Sequence, residues 1–155
     1  MSEVIYDSTQ DTLQHIDRVN FYMDTMIKDL SHRNVVHDQS KLKEPEKEYF
    51  DKYTPRLATL TFGTPEYTQN IQDLKPALDH HYAVNDHHPQ FHGEEGINGM
   101  NLLSLVEMLA DWKAAGERGK SGNIYKSIDI NAERFGISKQ LKKILINTAK
   151  YLKYE

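Results

Sequence analysis

Five of the chain's eight histidines lie in one stretch, residues 79–92, which reads Asp-His-His-Tyr-Ala-Val-Asn-Asp-His-His-Pro-Gln-Phe-His. Histidine titrates near neutral pH and is the commonest metal ligand. Two adjacent pairs, His80-His81 and His87-His88, are hard to account for as core packing, so metal binding is the chemistry they suggest. The chain has no cysteine. That excludes disulfides, thiolate zinc sites, cysteine nucleophiles and cysteine-ligated iron–sulfur clusters. Any ion must be held by nitrogen and oxygen. Outside the stretch, His37-Asp38 offers an imidazole nitrogen and a carboxylate within one turn. Glu107 and Asp111 lie one helical turn apart on the same, largely apolar side. Carboxylates there need partners, since unpaired buried charge is costly; a single exposed acidic face is the alternative.

These residues need elements to position them. Asp7 and Ser8 open a helix, with Ser8 and Asp11 at capping-box spacing. Leu13, Ile16, Val19, Met23, Met26, Ile27 and Leu30 predict a buried face. His15 falls at its interior edge, where by itself it reads as a hydrogen-bonded histidine at a core boundary. Residues 31–34 break the pattern, and 35–42 read as a second, short helical segment. Lys43 to Lys52 reads as a solvated helix face anchored by Tyr49 and Phe50. Boundaries are expected at Thr54-Pro55 and Phe62-Gly63. Thr64-Pro65 starts a helix carrying Tyr67, Ile71, Leu74, Leu78 and His81, with Pro76 expected to kink or divide it. Pro89 opens a loop through Gly93, Gly96 and Gly99. A helix from Gly99 to Glu117 follows, with Leu102, Leu105, Val106 and Leu109 as its core face.

Residues 118–123 form a basic surface turn; they lack the spacing of a Walker loop. Ile124 to Phe135 forms a helix stopped by Gly136. A last helix, capped by Ser138, turns Leu141, Ile144, Leu145, Thr148 and Leu152 inward. No segment alternates like a strand, and there is no repeat. The expected fold is all-α, a single-domain bundle of about six or seven helices over residues 1–155.

Composition narrows the partners. Hydrophobic residues make up 38% and charged residues 27%, as in a globular, soluble chain. The net charge of −4 argues against a nucleic-acid partner. The first residues lack the basic and apolar regions of a signal peptide, and no apolar run approaches a membrane span. The expected setting is the cytoplasm, with no membrane partner.

A histidine, then an adjacent His-Asp pair, then a distant aspartate on an all-helical scaffold resembles the HD-domain superfamily of metal-dependent phosphohydrolases. Here the set would be His15, His37, Asp38 and Asp111. His37-Asp38-Gln39-Ser40-Lys41 also matches the H-D-x-x-K variant of the branch that hydrolyses cyclic dinucleotides, although that branch's Gly-Tyr-Pro motif is absent. That branch and the HD-type di-iron oxygenases insert further histidines that hold a second metal. His80, His81, His87 and His88 occupy that interval. The region is also similar to an uncharacterised family of short phage and bacterial proteins with H-D-x-S-K, H-H-x-x-x-N-x-H-H-P and E-M-x-x-D-W motifs.

The resemblance implies one or two divalent transition ions (manganese, iron, cobalt, nickel or zinc) and a small phosphorylated substrate, a nucleotide among the candidates. Asp38 would bridge two ions. Lys41 would reach a phosphate oxygen, or else be simply solvated. Glu107 would orient a histidine ligand, and Asn85 and His92 would touch substrate. Neighbouring residues on a helix point about 100° apart, so one histidine of the pair 80–81 is expected to be a ligand, whereas both of 87–88 could be. A di-iron oxygenase and a non-catalytic metal-binding helical protein are the alternatives.

Overall fold

The computed structural model describes residues 6–57, 59–60, 64–118 and 122–154. Among these the secondary structure is helical throughout, as the all-α expectation required: six α-helices and two 3-10 segments. The chain divides into two compact units, one ending at Val36 and the other running from His37 to Glu155.

The first unit is essentially α1 (Thr9–Val36). Asp7, rather than Ser8, supplies the side-chain cap: its Oδ1 accepts from the Thr9 amide at 3.0 Å. Asp11 instead receives the Tyr6 hydroxyl. The expected break at residues 31–34 does not occur. None of the four is glycine or proline, and local bonds carry the helix through them. The Ser31 hydroxyl donates to the Ile27 carbonyl at 2.8 Å, and Arg33 pairs with Asp29 at 2.7 Å. Within this unit the apolar stripe is not buried, and His15 is exposed.

In the second unit, a 3-10 turn (Gln39–Leu42) leads to α2 (Glu46–Leu57) and α3 (Pro65–Val84). α2 passes the expected boundary at Thr54-Pro55 and ends at Leu57, because a proline one turn from the end forfeits only one helical hydrogen bond. The boundary expected at Phe62-Gly63 lies outside the described residues. α3 begins as its sequence dictates, with the Thr64 hydroxyl accepting from the Tyr67 amide at 3.2 Å and proline at the first turn. Pro76 neither ends nor divides it. Its buried face is Asn70, Leu74, Ala77 and His81, spaced four, three and four residues apart. Leu74 and Ala77 pack with Tyr53 of α2 in one apolar cluster.

Residues 89–99 form 3-10 turns interrupted at Gly93 and Gly96, whose φ angles are 56° and 50°. α4 (Leu102–Glu117), α5 (Ile124–Arg134) and α6 (Lys139–Tyr151) follow. Asn101, Asn123 and Ser138 cap them, each accepting from amides one turn in. Of the basic turn expected over 118–123, residues 119–121 lie outside the described set.

The inward faces of α4 and α6 differ from the expected ones. On α4, Ser104, Met108 and Leu109 are buried, while Leu102 and Val106 are exposed. On the buried side the Ser104 hydroxyl donates to Asp86 Oδ2 at 3.1 Å. On α6 the buried residues are Leu145 and Ala149, with Ile144 and Leu152 exposed. Leu109, Ile128, Ala132, Ile137, Leu145 and Ala149 join α4, α5 and α6 in the main core.

Candidate metal centre

The second unit gathers His37, His81, His87 and His88 with Asp38, Glu107 and Asp111 into one cluster. His37 and Asp38 follow the last turn of α1, and Asp38 takes a left-handed backbone, φ 55° and ψ 15°. Aspartate is one of the few residues besides glycine that visits this region readily. The Asp38 carboxylate approaches α3, with Oδ1 3.2 Å from His81 Nε2. His81 is on the buried face of α3, and His87 and His88 follow its end; Glu107 and Asp111 come from α4.

Three groups of side chains could each hold an ion: Asp38, His81, His87 and His88; His37, Asp38 and Asp111; and His37, His87 and Glu107. In the first, His81 Nε2 lies 2.9 Å from His88 Nε2 and 3.2 Å from Asp38 Oδ1, and His87 Nε2 lies 3.6 Å from the same oxygen. A cation about 2.0–2.2 Å from each donor puts neighbouring donors roughly 3.0–3.5 Å apart, so the spacing fits. Asp38 Oδ1 and His87 Nε2 are buried without a hydrogen-bond partner. His81 approaches Asp38 Oδ1 at ion-pair distance but without hydrogen-bond alignment. Each orphaned buried atom costs about 1–3 kcal/mol, which a bound cation would recover. The donor chemistry and the orphaned atoms therefore both fit a transition ion.

The far nitrogens of these rings are held by carboxylates. His81 Nδ1 donates to Glu46 Oε2 at 3.0 Å. His37 Nδ1 meets Glu107 Oε1 at 2.8 Å, and His87 Nδ1 lies 3.2 Å from the same oxygen. A carboxylate on Nδ1 fixes the tautomer and leaves the Nε2 lone pair to face an ion. This arrangement competes with the third group, in which Glu107 would itself be a ligand. The 2.8 Å contact is an ordinary ring N–H to carboxylate hydrogen bond, so Glu107 is better read as the partner that orients His37 and His87.

The second group is looser. His37 Nε2 lies 3.6 Å from Asp38 Oδ2 and 3.9 Å from Asp111 Oδ1. Asp38 thus turns Oδ1 to His81 and His87 and Oδ2 to His37. The Lys41 ammonium pairs with Oδ2 and lies 5.4 Å from the centre of the Phe50 ring.

The electrostatics keep Asp38, His87 and His88 in ligand form. Burial would raise the Asp38 pKa, but the His81 contact, the Lys41 hydrogen bond and the charges of Lys41 and His37 outweigh it and hold the carboxyl well below the usual range. Burial, with neighbouring His87 and His81, pushes His88 down to about 3. Burial also lowers His87, against the opposing pull of Glu107. Both rings are neutral at pH 7.

A search against family descriptions matches residues 4–151 to DUF5662, a family of unknown function. The chain belongs to that family. No curated protein and no solved structure matches it.

The remaining expected site residues are placed as follows. His15 lies on α1 in the first unit and joins none of the three groups found among the described residues. His80 joins none either; its Nδ1 contacts Glu46 Oε1 at 2.8 Å and its side chain is 40% exposed. Asn85 serves the cluster's framework, its amide donating to Ser40 Oγ at 2.9 Å and to the His81 carbonyl at 2.8 Å. His92 Nε2 bonds the Asp86 carbonyl at 2.9 Å.

Two residues were missed in the sequence. Glu46 is fully buried, although it sits in a charged run whose sequence predicts a solvated face. Ser40 donates its hydroxyl to Glu46 at 3.0 Å. The signal for Glu46 was its spacing: it shares a helix side with Tyr49, Phe50 and Tyr53, the apolar side of α2.

Proposed function

We propose that the protein is a metal-dependent phosphohydrolase built on a His/Asp centre for one or two divalent transition ions. The observation that supports it best is the division of Asp38. Its Oδ1 lies 3.2 and 3.6 Å from the Nε2 atoms of His81 and His87, and its Oδ2 lies 3.6 Å from His37 Nε2, while Asp38 belongs both to the group with His88 and to the group with Asp111. A carboxylate shared between adjacent cation positions is what a two-ion hydrolytic centre needs. Imidazole and carboxylate donors favour manganese, iron, cobalt, nickel or zinc over magnesium alone. When bound, such ions supply charge neutralisation for a phosphoryl group and a more acidic water.

The chain's own residues do the rest. Glu46 and Glu107 hold the rings in register. Lys41 balances Asp38 and carries a positive charge at the rim of the cluster, placed to meet a phosphate oxygen. Ser40 and Asn85 fix Glu46 and the end of α3. The likeness of His37-Asp38, the two histidine pairs and Asp111 to the HD-domain pattern agrees with this reading. It favours a small phosphorylated substrate, nucleotides included.

The test is metal analysis of protein purified without added metal, alongside hydrolysis of p-nitrophenyl phosphate and bis-p-nitrophenyl phosphate. Asp38→Asn is the informative variant, because asparagine also accepts the left-handed backbone while the charge is lost. Stoichiometric transition metal and phosphoester turnover are expected. In the variant both should fall by more than the roughly 10–100-fold that losing an outer partner costs. Stoichiometric iron with oxygen uptake and no turnover would establish the oxygenase instead. Protein devoid of transition metal would reduce the cluster to a structural role.

A further inference from the structure

Beside the cluster, a cavity of about 190 Å³ is bounded by Tyr82, His88, Asp111, Trp112, Asn131 and Arg134, among others. His88 belongs to one candidate ion group and Asp111 to another. A molecule in the cavity therefore touches side chains of both. Arg134 ends α5 and is exposed. Its guanidinium lies 4.7 Å from the centre of the Phe135 ring and has no carboxylate partner among the described residues. A guanidinium stacked on a ring keeps its N–H edge available, and that planar fork matches the oxygens of a phosphate.

We propose that this cavity is an oxyanion subsite of the candidate metal centre, in which Arg134 receives a phosphate group of the substrate. The proposal rests on the hydrolase reading for its substrate class. The volume limits what can enter. Pockets that enclose a drug-sized ligand run to roughly 300–1,000 Å³, so this one encloses a phosphate with a small attached group and leaves any larger moiety outside. The Asp111 carboxylate on the wall opposes an anion. Its charge is offset when a cation sits in the His37, Asp38 and Asp111 group, so metal loading and phosphate binding should reinforce each other.

The test is calorimetric titration of inorganic phosphate into the full chain, loaded with manganese and after chelation, for the wild type, Arg134→Gln and Arg134→Lys. Metal content and circular dichroism are measured on the same samples. Arg134 is exposed, so neither variant threatens the fold. The manganese-loaded wild type should bind phosphate more tightly than the stripped protein. Arg134→Gln should weaken binding at least about tenfold, the cost of losing a charge-assisted pair, with metal content unchanged. Arg134→Lys should recover part of the loss, since lysine keeps the charge but not the fork. Equal affinity in wild type and Arg134→Gln, or no phosphate binding to the loaded wild type, would overturn the subsite. A chain that retains no metal yet still loses phosphate affinity in Arg134→Gln would uphold Arg134 as the phosphate-binding residue of this cavity and remove the hydrolase reading.

Discussion

Two glutamates decide how the histidines of the cluster can act. Glu46 is wholly buried and takes His80 on one oxygen and His81 and Ser40 on the other. Glutamine in its place keeps the volume but offers only one acceptor oxygen and no charge. Glu46→Gln should therefore cost about 10–100-fold in metal affinity with the helical content intact. Competition with a fluorescent chelator would measure it, and an unchanged affinity would remove Glu46 from the site. The neighbouring pair gives a sharper contrast. His81 is 1% exposed and aims Nε2 at Asp38, whereas His80 is 40% exposed and turned to Glu46. Metal content should survive His80→Gln and be lost in His81→Gln. That one member of this pair would face the cluster was legible in the sequence, because neighbours on a helix diverge by about 100°. The spacing of His81 from Leu74 and Leu78 sets it, rather than His80, among the apolar residues of α3, but what it faces depends on how α3 packs against α2. Glu46 was hidden for a related reason: it sits in a charged run, and only its spacing from Tyr49, Phe50 and Tyr53 marks it as inward-facing.

Helix starts were the most legible feature at the level of elements. Thr64 and Ser138, which the sequence marks as caps, accept backbone amides at helix entries, as do Asn101 and Asn123, which it does not single out; a cap is a local interaction that needs nothing from the rest of the chain. Inward faces were less legible. On α4 the apolar residues at positions 102 and 106 suggested one face, but the helix buries Ser104, Met108 and Leu109, with Ser104 bonded to Asp86. The segment after α3 shows what a local signal can still supply. Gly96 has φ 50° and ψ −126°, a region that side-chain-bearing residues reach only with strain, and a Cβ there would meet no atom within 4 Å. Gly96→Ala should therefore test backbone strain alone. A loss of about 1–3 kcal/mol in unfolding free energy is expected, read by urea denaturation, with metal content preserved. An unaltered midpoint would show that the turns at 89–99 can relax without cost.

For the molecule as a whole, the cluster links folding to protons. His88 is held at about 3 by burial and by His87 and His81, against Asp38 and with Lys41. His87 is lowered by burial and His37, against Glu107, Asp38 and Asp111. Both would titrate near 6.5 in the unfolded chain. Between the two values the unfolded chain binds protons that the folded one refuses, so stability falls as pH drops below about 6.5, by up to about 1.4 kcal/mol per pH unit for each group. Asp38 does not disturb this window: its folded value is depressed below 3.8, so its contribution is lost only in stronger acid. Metal-stripped protein should thus show falling urea midpoints from pH 7 to pH 5, and the fall should be smaller in His88→Gln. A bound ion adds stabilisation that grows with its free concentration relative to its dissociation constant, and protons compete with it for the same nitrogens. The metal-loaded protein should begin more stable at pH 7 and lose that margin over the same range. A chain whose stability is level from pH 7 to pH 5 with and without metal would mean that the histidines reach solvent, and the buried cluster would then be the wrong picture of the site.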